Sequence, residues 1–102
     1  MPRYTLTDDA RHDLLAIKRW SVKQFGGAIT GEYLRGMQAC MQSLAENRHA
    51  GRDCSQTLYL EGLRAFPYIS HMIYYLFAPE GITVVGVLHQ SRLPERLQHR
   101  TR

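Results

Sequence analysis

Residues 82–89 read ITVVGVLH. Their length and β-branched content suit a strand better than a helix. Both alternating sets are apolar: Ile82, Val84 and Leu88 make one, Val85 and Val87 the other. A strand that is apolar on both faces belongs in the middle of a sheet. The rest of the chain must therefore supply its neighbours.

Reading back from that strand, LEGLRAF and ISHMIYYLF are each strand-length and rich in aromatic or β-branched residues. AFPYIS places a turn between them, and APEG places a tight turn before residue 82, so both connections are expected to be antiparallel hairpins. Further back, RHAGRDCSQT is a polar loop with no internal pattern. Tyr33, Leu34, Met37, Cys40, Met41, Leu44 and Ala45 give a helix from about Thr30 to Asn47 a wide apolar face, with Met37 and Met41 as core filler. Ala10, Leu14, Ile17, Ser21 and Phe25 mark an earlier amphipathic helix. Thr7 is its expected N-cap, and Gly26-Gly27 close it. Trp20 falls outside that stripe, either covering the core's edge or standing as an exposed aromatic anchor. The opening RYTLT reads as a short strand. It belongs beside the central strand, because a lone strand leaves its backbone polar groups unpaired. The expected class is α+β: an N-terminal strand, an antiparallel helix hairpin, then three antiparallel strands in one sheet. The hairpin covers one face and leaves the other partly open for partners.

One domain accounts for all 102 residues. Apolar residues at 44% and charged residues at 22% fit a globular chain. No apolar run reaches the roughly 20 residues that cross a bilayer, and MPRYTLTDD lacks the apolar core of a signal peptide, so a cytoplasmic location is expected. Cys40 lies on the second helix's stripe and Cys54 in the polar loop. Two cysteines make no disulfide framework, and no CxxC or HxxxH spacing is present, so neither metal nor cofactor is expected. The net charge of +4 is unevenly spread. From His89 onward four Arg (92, 96, 100, 102) face one Glu (95), so the first 88 residues hold only +1. Residues 93–102 are expected to form a flexible basic tail that adds little to the core.

The order of elements and the segments YTLTDDARHDLLAIKRW, LAENRHAGR, GLRAFPYISHMIYY and VLHQSR resemble the ParE toxins of the RelE/ParE superfamily. Those are the toxin halves of type II toxin–antitoxin pairs. The likeness spans residues 4 to 92. It departs at Leu93-Pro94, where many relatives carry an acidic or amide residue. The resemblance implies a poison of DNA gyrase that stabilises the cleaved-DNA state. It also implies neutralisation by a ParD-like antitoxin, in a hetero-oligomeric complex that binds operator DNA through the antitoxin.

The superfamily's RelE-like branch instead cuts mRNA on the ribosome. That reaction needs a base for the 2′-hydroxyl, cations around the phosphate and an acid for the leaving oxygen. By position, Arg64 matches a strand Arg that faces phosphate, and His89 falls near the C-terminal catalytic group. The chain has no Tyr after Tyr75, and Arg64 is the one Lys or Arg between Glu61 and Leu88. No catalytic residue is therefore assigned. Arg64, His89, Arg92 and Arg96 are expected to bind the target; Trp20, Tyr74, Leu93 and Leu97 are expected to bind the antitoxin. Structural roles compete at two sites, an ion pair for Arg64 and a tail-anchoring hydrogen bond for His89. A ribosome-dependent endonuclease and a non-toxic, antitoxin-binding corepressor remain the alternatives.

Overall fold

Thr7 ends the first strand and starts the first helix with one side chain. Strand β1 covers Arg3–Leu6; Thr7 then holds extended backbone while its Oγ1 accepts the Ala10 amide at 3.1 Å. Asp8 and Asp9 follow at the positive end of helix α1, Asp8–Phe25. At the far end Gly26 takes φ +86°, a conformation glycine adopts without steric cost, and its amide reaches Val22 O at 2.9 Å. The next residue already belongs to helix α2, Gly27–Glu46. The second helix thus begins three residues before Thr30, because one glycine ends one helix and starts the other. Thr30 is instead buried inside the hairpin, where its hydroxyl donates to Ser21 Oγ at 2.7 Å. Every residue from 22 to 29 is exposed, so the hairpin tip stands clear of the core. Phe25, expected on the buried stripe, is 56% exposed there.

The computed structural model of the chain describes residues 1–58, 60–92 and 97. Beyond α2, a 3₁₀ turn at Arg48–Ala50 leads to β2 (Arg52–Asp53) and the one-turn helix α3 (Ser55–Leu58). Strands β3 (Arg64–Tyr68), β4 (His71–Ala78) and β5 (Gly81–His89) follow. The sheet order is β1-β5-β4-β3-β2. As expected, β5 is interior, flanked by β4 in antiparallel and by β1 in parallel, from Arg3↔Gly81 to Leu6↔Val84. Strand β2 and α3 lie where the sequence shows only a polar loop. A two-residue pairing with Arg64 and Ala65 leaves no periodicity to detect. Asp53 Oδ1 secures the turn by accepting Ser55 N at 2.9 Å and Ser55 Oγ at 2.7 Å. Among the described residues no helix is long and apolar enough to cross a membrane.

Strict alternation along β5 does not hold. Tyr74 pairs with Gly86 but Tyr75 with Val84, so Val85 is an extra residue in a bulge. Ile82, Val84 and Val87 therefore share the helix-facing core with Met37, Met41, Ile73 and Tyr75. Val85 and Leu88 face the other way, into a second cluster with Cys54, Leu63, Ala65, Tyr74 and Leu97. The face expected to be partly open thus has a small core of its own. Leu97, expected at an exposed rim, is completely buried in it.

Candidate functional site

Tyr68, His71 and His89 stand in one row across the end of the sheet, paired Tyr68↔His71 and His71↔His89. His71 shares the face of Ile73 and Tyr75, which pack beneath the helices. Strand parity thus turns it toward the helices and away from the opposite face of the sheet. Tyr33 descends from α2 and brings its hydroxyl to 2.7 Å from His71 Nδ1. Its ring meets Tyr68 edge-on at 5.2 Å, and the Tyr68 hydroxyl donates back to Tyr33 O at 3.2 Å. Gly36, one turn further along α2, permits this crossing: a Cβ there would collide with the Tyr68 hydroxyl. The rings of His71 and His89 lie 5.4 Å apart.

Burial pushes the His71 imidazole below its ordinary range, and neighbouring His89 adds to the effect. Burial likewise pushes the Tyr33 phenol up. The His89 Nδ1 accepts the Ser91 amide at 3.1 Å and lies 2.8 Å from Ser91 Oγ. A backbone N–H can only donate, so the ring proton sits on Nε2. This bond turns the chain back at the end of β5, together with Arg92 N to His89 O at 2.9 Å. The His89 hydrogen bond thus lies within the turn, to Ser91, and residues 93–96 and 98–102 lie outside the described residues.

Arg64 sits at the opposite end of β3. Its Nη2 donates to Gly51 O at 2.6 Å and to His49 O at 3.2 Å, and its guanidinium lies 5.5 Å from the Phe77 ring. Arg48 covers the same ring at 4.7 Å while donating to Ala78 O at 3.1 Å. In place of the ion pair weighed for it, Arg64 makes these carbonyl contacts and fastens the loop after α2 to the sheet. In the sheet register Arg64 and His89 lie four rows apart. That is roughly 14 Å along the strands and about 10 Å across them. The two groups do not meet around one phosphate.

The remaining expected residues divide by exposure. Trp20 is 58% exposed and packs edge-on against Phe25 with ring centroids 5.9 Å apart. Arg92 is exposed and borders, with Arg52, a groove of about 550 Å³ floored by Ala65, Met72 and Tyr74. Tyr74 itself is buried. Leu93 and Arg96 lie outside the described residues.

A family model for the ParE toxin of the type II toxin–antitoxin system, parDE, matches residues 4–94. The chain belongs to the ParE toxin family. A search of curated proteins finds no match. Membership in a type II toxin–antitoxin family implies an antitoxin partner.

In this ParE-family chain, sequence reading missed Tyr33, Tyr68, Arg48 and Phe77. Tyr33 reads as one more apolar position on the α2 stripe, although its hydroxyl reaches His71. A usable signal was present in Phe66-Pro67-Tyr68: parity places Phe66 and Tyr68 together, and Pro67 points away. For Arg48 and Phe77 no local pattern exists, because the contact joins residues 29 positions apart through the sheet order. The thiols of Cys40 and Cys54 are both pushed up by burial, as suits structural cysteines.

Proposed function

We propose that this ParE-family chain is a toxin that inhibits DNA gyrase by stabilising its cleaved-DNA state, and that a ParD-like antitoxin neutralises it in the cytoplasm. The reading is supported chiefly by the family match over residues 4–94. In it the chain grips its target and breaks no covalent bond. Arg64 supports this choice over message cleavage, since its guanidinium already serves the Gly51 and His49 carbonyls and lies rows away from His89. A phosphate-cleaving site relies on cations aimed at the developing charge, and their electrostatic contribution is usually the largest catalytic one. Inhibition by grip requires only stronger contacts with one gyrase state than with the others. Arg92, exposed at the turn after β5, is the described residue assigned to that contact, with His89 fixing the direction of the turn. The antitoxin complex then binds operator DNA through the antitoxin.

Purified chain added to gyrase is expected to block supercoiling and accumulate cleaved DNA, and Arg92→Glu is expected to weaken both. Unchanged gyrase activity at saturating chain, with message fragments appearing in a translating extract, would replace this reading with the endonuclease. Harmless expression without antitoxin would point to the corepressor.

A further inference from the structure

Helix α2 ends at Glu46, and the 3₁₀ turn Arg48–Ala50 takes its place above one corner of the sheet. Phe77 and Arg64 lie on that side, since their register partners Ile82 and Tyr75 belong to the helix-facing core. Phe77 is 40% exposed there. The Arg48 guanidinium lies 4.7 Å from its ring, that of Arg64 5.5 Å, and the His49 imidazole meets it edge-on at 5.0 Å. The hydrogen bonds that fix the two guanidinium groups all end on backbone carbonyls: Ala78 for Arg48, Gly51 and His49 for Arg64. A carbonyl orients a cation without cancelling its charge. Among the described residues neither arginine has an ion pair, and Arg64 Nε is buried without an acceptor. Asp53, beside Arg64 in the register, has its Oδ1 taken by Ser55. The adjoining depression of about 1010 Å³ carries both signs, Arg3 against Glu46 and Glu80, so the unbalanced charge sits around Phe77.

We propose that this corner binds the phosphate backbone of DNA, so that the toxin holds gyrase by the turn at Arg92 and the cleaved DNA by Arg48 and Arg64. The inference rests on the gyrase reading above and names the nucleic-acid contact that serves it. Two guanidinium groups fixed before binding lose little freedom on meeting a phosphate, and their planar forks match its oxygens. The exposed part of Phe77 offers apolar area to a sugar or base beside them. Inhibition by grip needs a contact that distinguishes the cleaved state, and DNA is part of that state. An extended acidic peptide is a poorer occupant. It would seek a strand edge, whereas Arg64 and Phe77 belong to β3 and β4, which have neighbours on both sides. Contact here is grip without cleavage, because His89 stands at the other end of the sheet.

The test uses the full chain and a labelled duplex oligonucleotide, with affinity read by fluorescence anisotropy from about 50 to 200 mM salt. Each phosphate held by a cation steepens the fall of log affinity with log salt by about 0.9. R48Q and R64Q are each expected to weaken binding roughly threefold or more and to make that slope shallower by about one. K23Q, the same loss of charge at the hairpin tip, is expected to leave the slope unchanged. His49→Glu, at an exposed position, is expected to weaken DNA binding while circular dichroism shows the fold kept, and it probes the same surface without touching the two arginines. In the gyrase assay R48Q is expected to accumulate less cleaved DNA than the wild type. Slopes and affinities in R48Q, R64Q and H49E that match those of K23Q overturn the inference and leave the gyrase reading standing. Variants that weaken an antitoxin complex while DNA binding is untouched assign the corner to an acidic protein segment and overturn it as well. A wild-type chain that binds DNA through this corner yet accumulates no cleaved DNA with gyrase overturns the gyrase reading and leaves the DNA contact in place.

Discussion

His71 is a side chain whose protonation this fold resists. Its pKa lies below the unfolded value of about 6.5, mainly through burial, so between the two values the unfolded chain binds more protons than the folded one. Stability is therefore full above that window and falls as pH drops through it. Urea titrations at pH 7.5, 6.5 and 5.5 are expected to show this loss, and His71→Gln to make the dependence shallower. A slope that is unchanged in the variant would assign it to other groups. A second residue works against the fold. Ile69, 68% exposed in the turn between β3 and β4, is held at φ +48°. A β-branched residue in that region costs roughly 1–2 kcal/mol, whereas glycine's extra chain entropy costs about 0.5–1 kcal/mol. Ile69→Gly is thus expected to raise stability by about 1 kcal/mol, read as a higher denaturation midpoint. The identity of these residues was plain in the sequence, but their directions were not. Which face of β4 carries His71 depends on where the helices land, and no local pattern encodes that.

Elements were far more legible than directions. The cap at Thr7, the apolar stripes of both helices, the two hairpin turns and the interior position of β5 all follow from local spacing. What escaped were features set by a neighbour: the bulge at Val85, the two-residue β2, and the single-glycine junction that starts α2 at Gly27. Helix α2 shows how such a neighbour reverses a local rule. Alanine at position 36 would favour an isolated helix by about 1 kcal/mol over glycine. Here its methyl meets the Tyr68 hydroxyl, and relief requires displacing a ring that is packed on Tyr33 and bonded to Tyr33 O. Overpacking of this kind costs about 1–3 kcal/mol. Gly36→Ala is accordingly expected to destabilise the protein by up to about 2 kcal/mol, and adding Tyr68→Phe to recover part of the loss. Additive effects in that double-mutant cycle would show that the two sites do not touch.

At the scale of the whole molecule, the sheet has a core on each face, and the smaller one draws on position 97. Leu97→Ala is expected to cost about 2–5 kcal/mol and to lower the melting temperature clearly. A chain ending at residue 92 should lose at least as much, so impaired toxicity in such a truncation would report on folding as well as on contact with a target. The sequence could not reveal this burial. A leucine among arginines after a proline has the composition of a solvated tail, and only the apolar floor of Val85, Leu88 and Tyr74 gives it a place to pack. The sheet order carries a last consequence. Because β5 lies between β1 and β4, the first strand finds its neighbour only after some 78 further residues, the separation of Thr5 from Thr83. A gene interrupted by a stop codon anywhere before residue 81 would encode helices with no completed sheet to rest on. Such a truncated gene would therefore yield no folded chain for an antitoxin to bind.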